Sequence, residues 1–209
     1  APTFPESLQN VSKKIPVVLI GEKDVVSGID TVELNSEKMG RMLAEYLLGL
    51  GHRKVGFIST PLTERQSARR ARIKGFCETF AEAGCSDGVY VRSLPKEMDI
   101  MFQEIDMEYR TGYELTLELI QQVPQITAIA GTNDMVALGI RDALLKEKYK
   151  IPEDISVIGC DNLLFSGLRG IDLTTVEHYV SKKGEDACEI LIQEMGEQKA
   201  KNNSIVENM

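Results

Sequence analysis

Two segments decide the fold of this chain: ITAIAGTND, residues 126–134, and ISVIGCDN, residues 155–162. Each is a short apolar run that ends in a pair of small polar residues, Asn133-Asp134 in the first and Asp161-Asn162 in the second. A stretch with helical spacing separates the two runs, which is typical of successive parallel strands in an α/β sheet. Ligands bind outside the carboxyl ends of such strands. The sequence therefore predicts that both polar pairs lie at one ligand-binding edge of the sheet.

The same alternation of strands and helices continues along the rest of the chain. Further strands are predicted at residues 15–21, 31–34, 54–59, 89–91 and 173–178. Helices are predicted from Asn35 or Ser36 to Gly51, over residues 65–83, 109–123 and 133–148, and from Ser181 or Lys182 onward. Residues 1–14 fit a loop or a short frayed helix, residues 94–108 are ambiguous, and residues 199–209 are expected to be loose. The alternation predicts a doubly wound α/β fold.

Apolar positions at helical spacing indicate which helix faces are buried. In the first long helix they are Met39, Leu43, Tyr46, Leu47 and Leu50, and in the last they are Ala187, Leu191 and Met195. We expect these side chains to face the core.

Composition excludes several classes of function. The chain has 209 residues and a net charge of -8, which argues against a nucleic-acid surface within this sequence. The basic cluster at residues 65–74 is read mainly as a solvated helix face. No apolar stretch is long enough to span a membrane and no signal-peptide pattern opens the chain, so we expect a cytoplasmic protein with no membrane partner.

Cysteine and histidine usage argues against a metal centre. The four cysteines are scattered without a Cys-x-x-Cys pair, and the chain has only two histidines. We therefore expect no metal ligands, and thiols that stay reduced. Cys85, next to a turn glycine, is expected to be the most exposed of the four. Neither a dinucleotide or phosphate loop nor a serine-nucleophile motif is present, so we expect no catalytic residues, no cofactor and no enzyme activity.

A series of strings in one order resembles the effector-binding core of the LacI/GalR family of bacterial transcription regulators. They are IPVV (15–18), GHRKVGFI (51–58), the stretch 67–76 ending in R-x-x-G-F, TNDMVALG (132–139), IPEDISVIGCDN (151–162) and LTTV (173–176). The resemblance runs from Ile15 to about Met195. Any single string is weakly specific, but their order and spacing together are highly specific.

The resemblance implies a periplasmic-binding-protein-like fold of two Rossmann-like lobes with mostly parallel sheets. Residues 35–176 are then the C-terminal lobe, whereas residues 1–34 and 177–209 supply only the later part of an incomplete N-terminal lobe. It also implies a repressor that binds a sugar between the lobes and acts as a homodimer. Operator DNA would be bound only by a helix-turn-helix headpiece that this sequence does not include.

The same resemblance points to individual ligand-binding residues. Arg72, before Gly75-Phe76, is expected to reach the effector through its planar guanidinium, with Arg69 as a second candidate. Asp161 is expected to accept hydrogen bonds from the ligand, with opposite charges holding Arg72 and Asp161 together when no effector is bound. Both are expected to lie in a cleft rather than in the core. Asn133 is a helix N-cap as well as a ligand candidate, whereas Asp134 is assigned to the first turn of its helix.

Three further candidates are expected to line the cleft. Met107 occupies the position where several sugar-responsive members place a stacking aromatic, and methionine lacks the flat surface that stacks on a hexose ring. Leu34 lies at the first predicted crossing between lobes and His178 at another. An ordinary crossover role for His178 is favoured over a pH switch.

Two other functions compete with regulation. A periplasmic sugar-binding protein of a transporter shares the fold, but the cysteines and the PEDISVIG wording (residues 152–159) favour a regulator. An enzyme is disfavoured because the histidines His52 and His178 lie in different elements and the catalytic motifs are missing. A helix-turn-helix sequence or a cleavable signal encoded upstream of Ala1 would distinguish the first two.

Overall fold

The structure is a computed structural model that describes residues 5–21, 26–63, 67–95 and 106–206. The predicted helix start at Arg65 and most of the ambiguous stretch 94–108 lie outside the described residues. Contacts between Cα atoms divide the chain into two compact units: residues 1–35 with 179–209, and residues 36–178. The predicted boundaries at 34/35 and 176/177 lie within two residues of these divisions.

The elements follow one another in nearly the predicted order. They are α1 (Pro5–Ser12), β1 (Val18–Gly21), β2 (Asp30–Glu33), α2 (Ser36–Gly49), β3 (Val55–Ser59), α3 (Ser67–Glu82), β4 (Val89–Ser93), α4 (Met107–Gln122), β5 (Ala128–Gly131), α5 (Asp134–Lys146), β6 (Ser156–Asp161), β7 (Thr174–Glu177) and α6 (Val180–Val206). Short 3-10 helices lie at Ser86–Gly88 and Leu164–Gly167. Element types are therefore as predicted, and most boundaries shift by one to three residues.

The smaller unit contains α1, the parallel pair β1 and β2, and α6. Val18 pairs with Asp30 and Gly21 with Glu33, and α6 packs against both strands. The prediction of a loose tail from residue 199 is wrong up to residue 206, because α6 continues through Val206. Among the described residues, no helix is both long and apolar enough to cross a membrane.

The larger unit is a five-stranded parallel sheet in the order β4-β3-β5-β6-β7. The chain runs from β3 outward to β4, then returns to place β5 on the other side of β3. This reversal creates a topological switch point between β3 and β5, where neighbouring connections leave the sheet in opposite directions. The carboxyl edge beside it is the place where such sheets bind ligands.

Two apolar layers cover the faces of this sheet. Side chains from α2 and α3, including Leu43, Phe76 and Phe80, pack on the face that carries Phe57. Side chains from α4 and α5, including Leu119 and Ile140, pack on the opposite face. The sheet is thus doubly wound, as predicted.

Some predicted core positions are exposed. Tyr46 is 50% and Leu50 60% exposed, because the inner stripe of α2 follows Met39, Leu43 and Leu47 at four-residue spacing. Met195 of α6 is 51% exposed as well. In both helices, helical spacing alone predicted a wider buried face than the structure has.

Glycines allow α2 and α3 to approach closely. A Cβ atom at Gly40 would meet the carbonyl oxygen of Arg72, and a Cβ atom at Gly75 would meet that of Glu37. The contact is backbone against backbone, so little can move to admit a methyl group. This packing fixes the turn of α3 that carries Arg72.

Candidate ligand-binding site

Polar side chains from several elements converge at the carboxyl edge of the five-stranded sheet. β5 ends at Gly131, β6 at Asp161 and β7 at Glu177, and all these strands are parallel. The first turns of α3, α4 and α5 begin at the same edge. Of the predicted site residues, this unit brings together Arg69, Arg72, Asn133, Asp161 and His178.

Arg72 is a buried arginine at the switch point. It is 5% exposed, and its Nη1 donates to the carbonyl oxygen of Thr132, just beyond β5. Its Nη2 lies 3.2 Å from Nε2 of His178 and 3.8 Å from the sulfur of Met39. Arg72 is expected in a cleft rather than in the core, but the whole side chain is buried, and only its predicted position at the edge of the sheet is retained.

Asp161, His178 and Cys160 form a compact group at the ends of β6 and β7. Nε2 of His178 lies 3.1 Å from Oδ1 of Asp161 and 3.1 Å from Sγ of Cys160. Arg72 and Asp161 both contact the same imidazole nitrogen. The opposite charges also interact, since the positive charge of Arg72 acts to lower the pKa of Asp161. His178, which sequence reasoning ranked low, is the residue that joins them.

The environment of Asp161 opposes its negative charge. Burial raises its pKa from the ordinary value of 3.8 to about 7, and the nearby carboxylates of Asp134 and Glu108 act in the same direction. The positive charges of Arg72 and Arg69 oppose the increase. A carboxyl group that titrates near neutrality can either donate or accept a hydrogen bond at a ligand.

The backbone at this strand end is in an unusual conformation. Asp161 has φ 150 and Asn162 has φ 52, both in the region that favours glycine. Asn162 stabilises the turn. Its side-chain Nδ2 donates to Glu177 at 2.6 Å, and its backbone N–H donates to Thr175 Oγ1 at 3.2 Å. The strained turn directs Asp161 toward His178.

Glu108 bridges two predicted site residues and was missed by sequence reasoning. Its Oε1 lies 2.8 Å from Nη2 of Arg69, and its Oε2 accepts a 2.7 Å hydrogen bond from Nδ2 of Asn133. Asn133 also caps α5, since its Oδ1 accepts from the amide of Val136 at 2.9 Å. The predicted double use of Asn133 is thus correct for the cap, while its amide group binds Glu108. Glu108 lay in the ambiguous stretch, and its place just before a predicted helix was the only available signal.

Asp134 has a larger structural role than the helix-start role predicted for it. It is 0% exposed and accepts hydrogen bonds from the amide of Leu163 at 2.9 Å, Ser166 Oγ at 2.6 Å and Thr175 Oγ1 at 2.5 Å. The carboxylate therefore ties the start of α5 to the loop after β6 and to β7. It supports the segment from which Asp161 projects.

Several buried polar atoms at this edge have unused hydrogen-bonding capacity. Among the described residues, the buried side-chain atoms without a hydrogen-bond partner are Ser36 Oγ, Ser59 Oγ, Thr60 Oγ1, Arg72 Nε and Thr132 Oγ1. Ser59 is the last residue of β3, Thr60 follows it and Thr132 follows β5, so most of the group borders the switch point. Buried polar groups are normally satisfied. Their concentration here fits a surface that binds a hydroxylated molecule.

Two predicted candidates are placed differently from the rest. Met107 is the first residue of α4 and is only 7% exposed, which makes it a core side chain adjoining Glu108. Leu34 belongs to the other unit, where its carbonyl accepts from Nζ of Lys183 at 3.3 Å. Neither residue shares a hydrogen bond with the group around Arg72 in the described part of the chain.

A cavity of about 420 Å³ lies elsewhere in the same unit. It is lined by the ends of α2 and α5 and by the first residues of β6 and β7, including Tyr46, Leu50, Leu145 and Thr174. It therefore sits at the amino edge of the sheet and contains none of the predicted site residues. Its lining mixes apolar side chains with polar ones, among them Arg141 and Asp172.

All four cysteines are described and all carry thiols rather than disulfides. Cys160 is buried, Cys77 and Cys85 are half-buried, and Cys188 is exposed. The expectation that Cys85 is the most exposed thiol is wrong, because Cys188 lies on an exposed part of α6.

Comparison with known proteins decides the family. A family described as periplasmic binding protein-like domain matches residues 44–209. The chain belongs to this family. The predicted fold class, with parallel sheets of the periplasmic-binding-protein type, is confirmed.

Similar proteins are transcription regulators. The chain is 29% identical over 191 residues to the HTH-type transcriptional repressor PurR of Mannheimia succiniciproducens, covering 91% of this chain and 54% of that protein. It is 26% identical to the ribose operon repressor of Escherichia coli K12, covering 85% of this chain and 50% of that protein. The predicted resemblance to LacI-type regulators is confirmed. The chain spans about half the length of these curated relatives.

A solved structure agrees with this relationship. A LacI family transcriptional regulator from Enterococcus faecalis V583, crystallised with bound ribose, has a TM-score of 0.75 and 25% sequence identity. The match covers 94% of this chain and 66% of that one. These relatives are regulators rather than enzymes.

Proposed function

We propose that this chain is the ligand-sensing core of a LacI-type transcriptional repressor and that its effector is a small hydroxylated molecule, a sugar. The observation that carries the proposal is the buried guanidinium of Arg72, which lies beside His178 and the unpartnered hydroxyl of Thr132 at the switch point. A guanidinium binds two oxygens of one ligand at once. Ribose, which is bound to one structural relative, is a suitable first probe.

Complementary polar groups around Arg72 support a polyol rather than an apolar ligand. Asp161 and Glu108 supply carboxylates, Arg69 and Asn133 supply donors, and Ser59 and Thr60 supply hydroxyls. Donors and acceptors at fixed positions discriminate strongly between molecules that differ by one hydroxyl group. Arg72, Asp161, His178, Asn133 and Arg69 remain the proposed ligand contacts, with Met107 and Leu34 as weaker ones.

Repression would require that the effector bind one conformation of the core better than another. Only such differential affinity shifts a conformational equilibrium, and the same coupling free energy then changes affinity for DNA. In the whole protein, operator DNA would be bound by a helix-turn-helix domain, as in the HTH-type relatives.

Calorimetric titration of the chain tests the proposal. Pentoses, hexoses, phosphorylated sugars and nucleobases are titrated separately into the wild type and into the Arg72→Lys and Asp161→Asn variants. We expect one class to bind the wild type and to lose at least about tenfold in affinity, about 1.4 kcal/mol, in each folded variant. Binding of no compound, or equal affinity in all three proteins, contradicts the proposal.

We also propose that the chain forms a homodimer, as the family resemblance implies. Exposed apolar side chains beside the amino-edge cavity, such as Leu50 at 60% and Leu145 at 45%, support a protein-covered surface in the larger unit. Sedimentation velocity over a range of concentrations measures the assembly state. A monomer at every concentration contradicts this part of the proposal.

A further inference from the structure

We propose that Cys160, Asp161 and His178 form a binding site for a thiophilic divalent cation such as Zn²⁺. The sulfur of Cys160, a carboxylate oxygen of Asp161 and a ring nitrogen of His178 all lie within 4.8 Å of one another. Cys160 is 0% and His178 8% exposed, so the group is shielded from bulk water. The proposal concerns the metal alone and does not depend on the effector function.

The donor set matches zinc chemistry. Zinc is bound by thiolate, imidazole and carboxylate, and sites with three protein ligands leave a fourth position for water or a ligand. Bond lengths of about 2.0–2.3 Å in tetrahedral geometry place neighbouring ligand atoms about 3.5 Å apart. Nε2 of His178 lies 3.1 Å from both Sγ of Cys160 and Oδ1 of Asp161. These two distances are a few tenths of an ångström shorter than the tetrahedral value, and the sulfur of Cys160 and a carboxylate oxygen of Asp161 lie within 4.8 Å of each other.

Nε2 of His178 lies close to three polar atoms. This nitrogen carries either one proton or one lone pair, yet it faces Sγ of Cys160, Oδ1 of Asp161 and Nη2 of Arg72 at 3.1, 3.1 and 3.2 Å. One proton or one lone pair can serve only one of these contacts at full strength. A cation accepts lone pairs from the sulfur, the oxygen and the nitrogen together.

The nearby positive charge of Arg72 is compatible with such an ion. Binding displaces the thiol proton of Cys160, and any proton held by Asp161, to solvent. The resulting thiolate and carboxylate balance the two charges of the ion. Because the ion takes the lone pair of Nε2, Arg72 would give up its 3.2 Å contact with this nitrogen. The bond from the guanidinium to the carbonyl of Thr132 involves none of the three proposed metal ligands.

The spacing of these residues along the sequence does not indicate that they meet. Cys160 and His178 are 18 positions apart, and they meet because β6 and β7 pair in parallel with Cys160 opposite Val176 and Asp161 opposite Glu177. The expectation of no metal ligands rested on the lack of Cys-x-x-Cys and on the number of histidines. Neither criterion detects ligands supplied by neighbouring parallel strands.

Cobalt spectroscopy of the purified chain tests the site, because Co²⁺ bound to thiolate gives a near-ultraviolet charge-transfer band. We expect this band in the wild type, its removal by added Zn²⁺, and its loss in Cys160→Ser. The matched control is Cys188→Ser, which alters the exposed thiol of α6 and should keep the band. His178→Gln should bind Zn²⁺ at least about tenfold more weakly in competition with a chromogenic chelator.

Circular dichroism separates loss of metal from loss of fold. If Cys160→Ser is unfolded, Cys160→Ala and the folded His178→Gln variant give the decisive comparison. A wild type without the band, a band that persists at full intensity in Cys160→Ser or Cys160→Ala, or unchanged Zn²⁺ affinity in His178→Gln overturns the proposal. Whether or not the chain binds a sugar does not decide the metal proposal.

Discussion

Asp161 and His178 meet at the ends of two neighbouring strands, where Oδ1 of Asp161 lies 3.1 Å from Nε2 of His178. The contact joins a half-buried carboxyl group to a buried imidazole, with side-chain exposures of 28% and 9%. Arg72 reaches the same nitrogen from α3 at 3.2 Å. Arg72 of α3 and Asp161 of β6 therefore contact one side chain, His178, which directly follows β7.

The stability of the protein should depend on pH through Asp161. Its pKa is about 7 in the folded protein against an ordinary value of 3.8, so between these values the folded state holds the proton and the unfolded state does not. Stability from this group is therefore fully present below the lower pKa and falls as pH rises toward about 7, by at most about 1.4 kcal/mol per pH unit. Asp161→Asn cannot ionise and should lack this slope.

Thermal melts of both proteins from about pH 5 to about pH 8 measure the difference. The melting temperature of the wild type relative to Asp161→Asn should decline across that range. Parallel curves would show that Asp161 keeps an ordinary pKa.

Replacement of Arg72 by lysine should lower the free energy of unfolding less than replacement by alanine. Because the side chain is 5% exposed, Arg72→Ala leaves a cavity and removes the donor to the Thr132 carbonyl, which should lower the free energy of unfolding by about 2–4 kcal/mol. Arg72→Lys retains the charge and most of the stem, so it should cost less stability while weakening effector binding. Urea unfolding measures the first effect and calorimetry the second.

Arg70→Lys is the matched control, because Arg70 is an exposed residue of the same helix. It should leave both stability and affinity unchanged. Equal stability of Arg72→Ala and wild type would contradict the buried position of Arg72.

The fold was predictable because parallel strands buried on both faces are continuous apolar runs with clear ends. The runs before Asn133 and Asp161 both became strands of the predicted sheet. Helix faces were less predictable: Tyr46 lies next to the inner stripe of α2 and is half exposed. Whether one of two neighbouring helix positions is buried depends on the shape of the surface that the helix packs against. The spacing of apolar residues does not specify that shape.

The sequence identified candidate site residues one by one but not the contacts that join them. Arg72, Asn133 and Asp161 were identified from strings and from their positions after strands. The bridging role of Glu108 and the central place of His178 depend on side chains from distant elements. Strand order and helix approach determine these contacts, and a single sequence does not state either.

Replacement of Asp134 by asparagine should destabilise the larger unit. Asp134 is 0% exposed and its carboxylate accepts from Leu163, Ser166 and Thr175. Asparagine has an NH2 group where Asp134 has a carboxylate oxygen, so a donor would face a donor. The free energy of unfolding should fall by about 2–3 kcal/mol. Chemical denaturation measures this loss, and Asp87→Asn, at an exposed position, should show none.

Weak effector affinity in the Asp134→Asn variant is expected as well, because the loop after β6 positions Asp161. Full stability of this variant would show that the three hydrogen bonds contribute little.

Gly75→Ala should disrupt the packing of α2 against α3. The added Cβ would meet the backbone carbonyl of Glu37, which cannot turn aside as a side chain would. Overpacking of this kind costs about 1–3 kcal/mol, and displacement of α3 should also move Arg72 and reduce effector affinity. Gly49→Ala provides the contrast, since a Cβ at Gly49 of α2 has no atom within 4 Å. That substitution should be neutral or stabilise the fold by about 0.5–1 kcal/mol. Equal unfolding midpoints for the two alanine variants would contradict the close approach of the helices at Gly75.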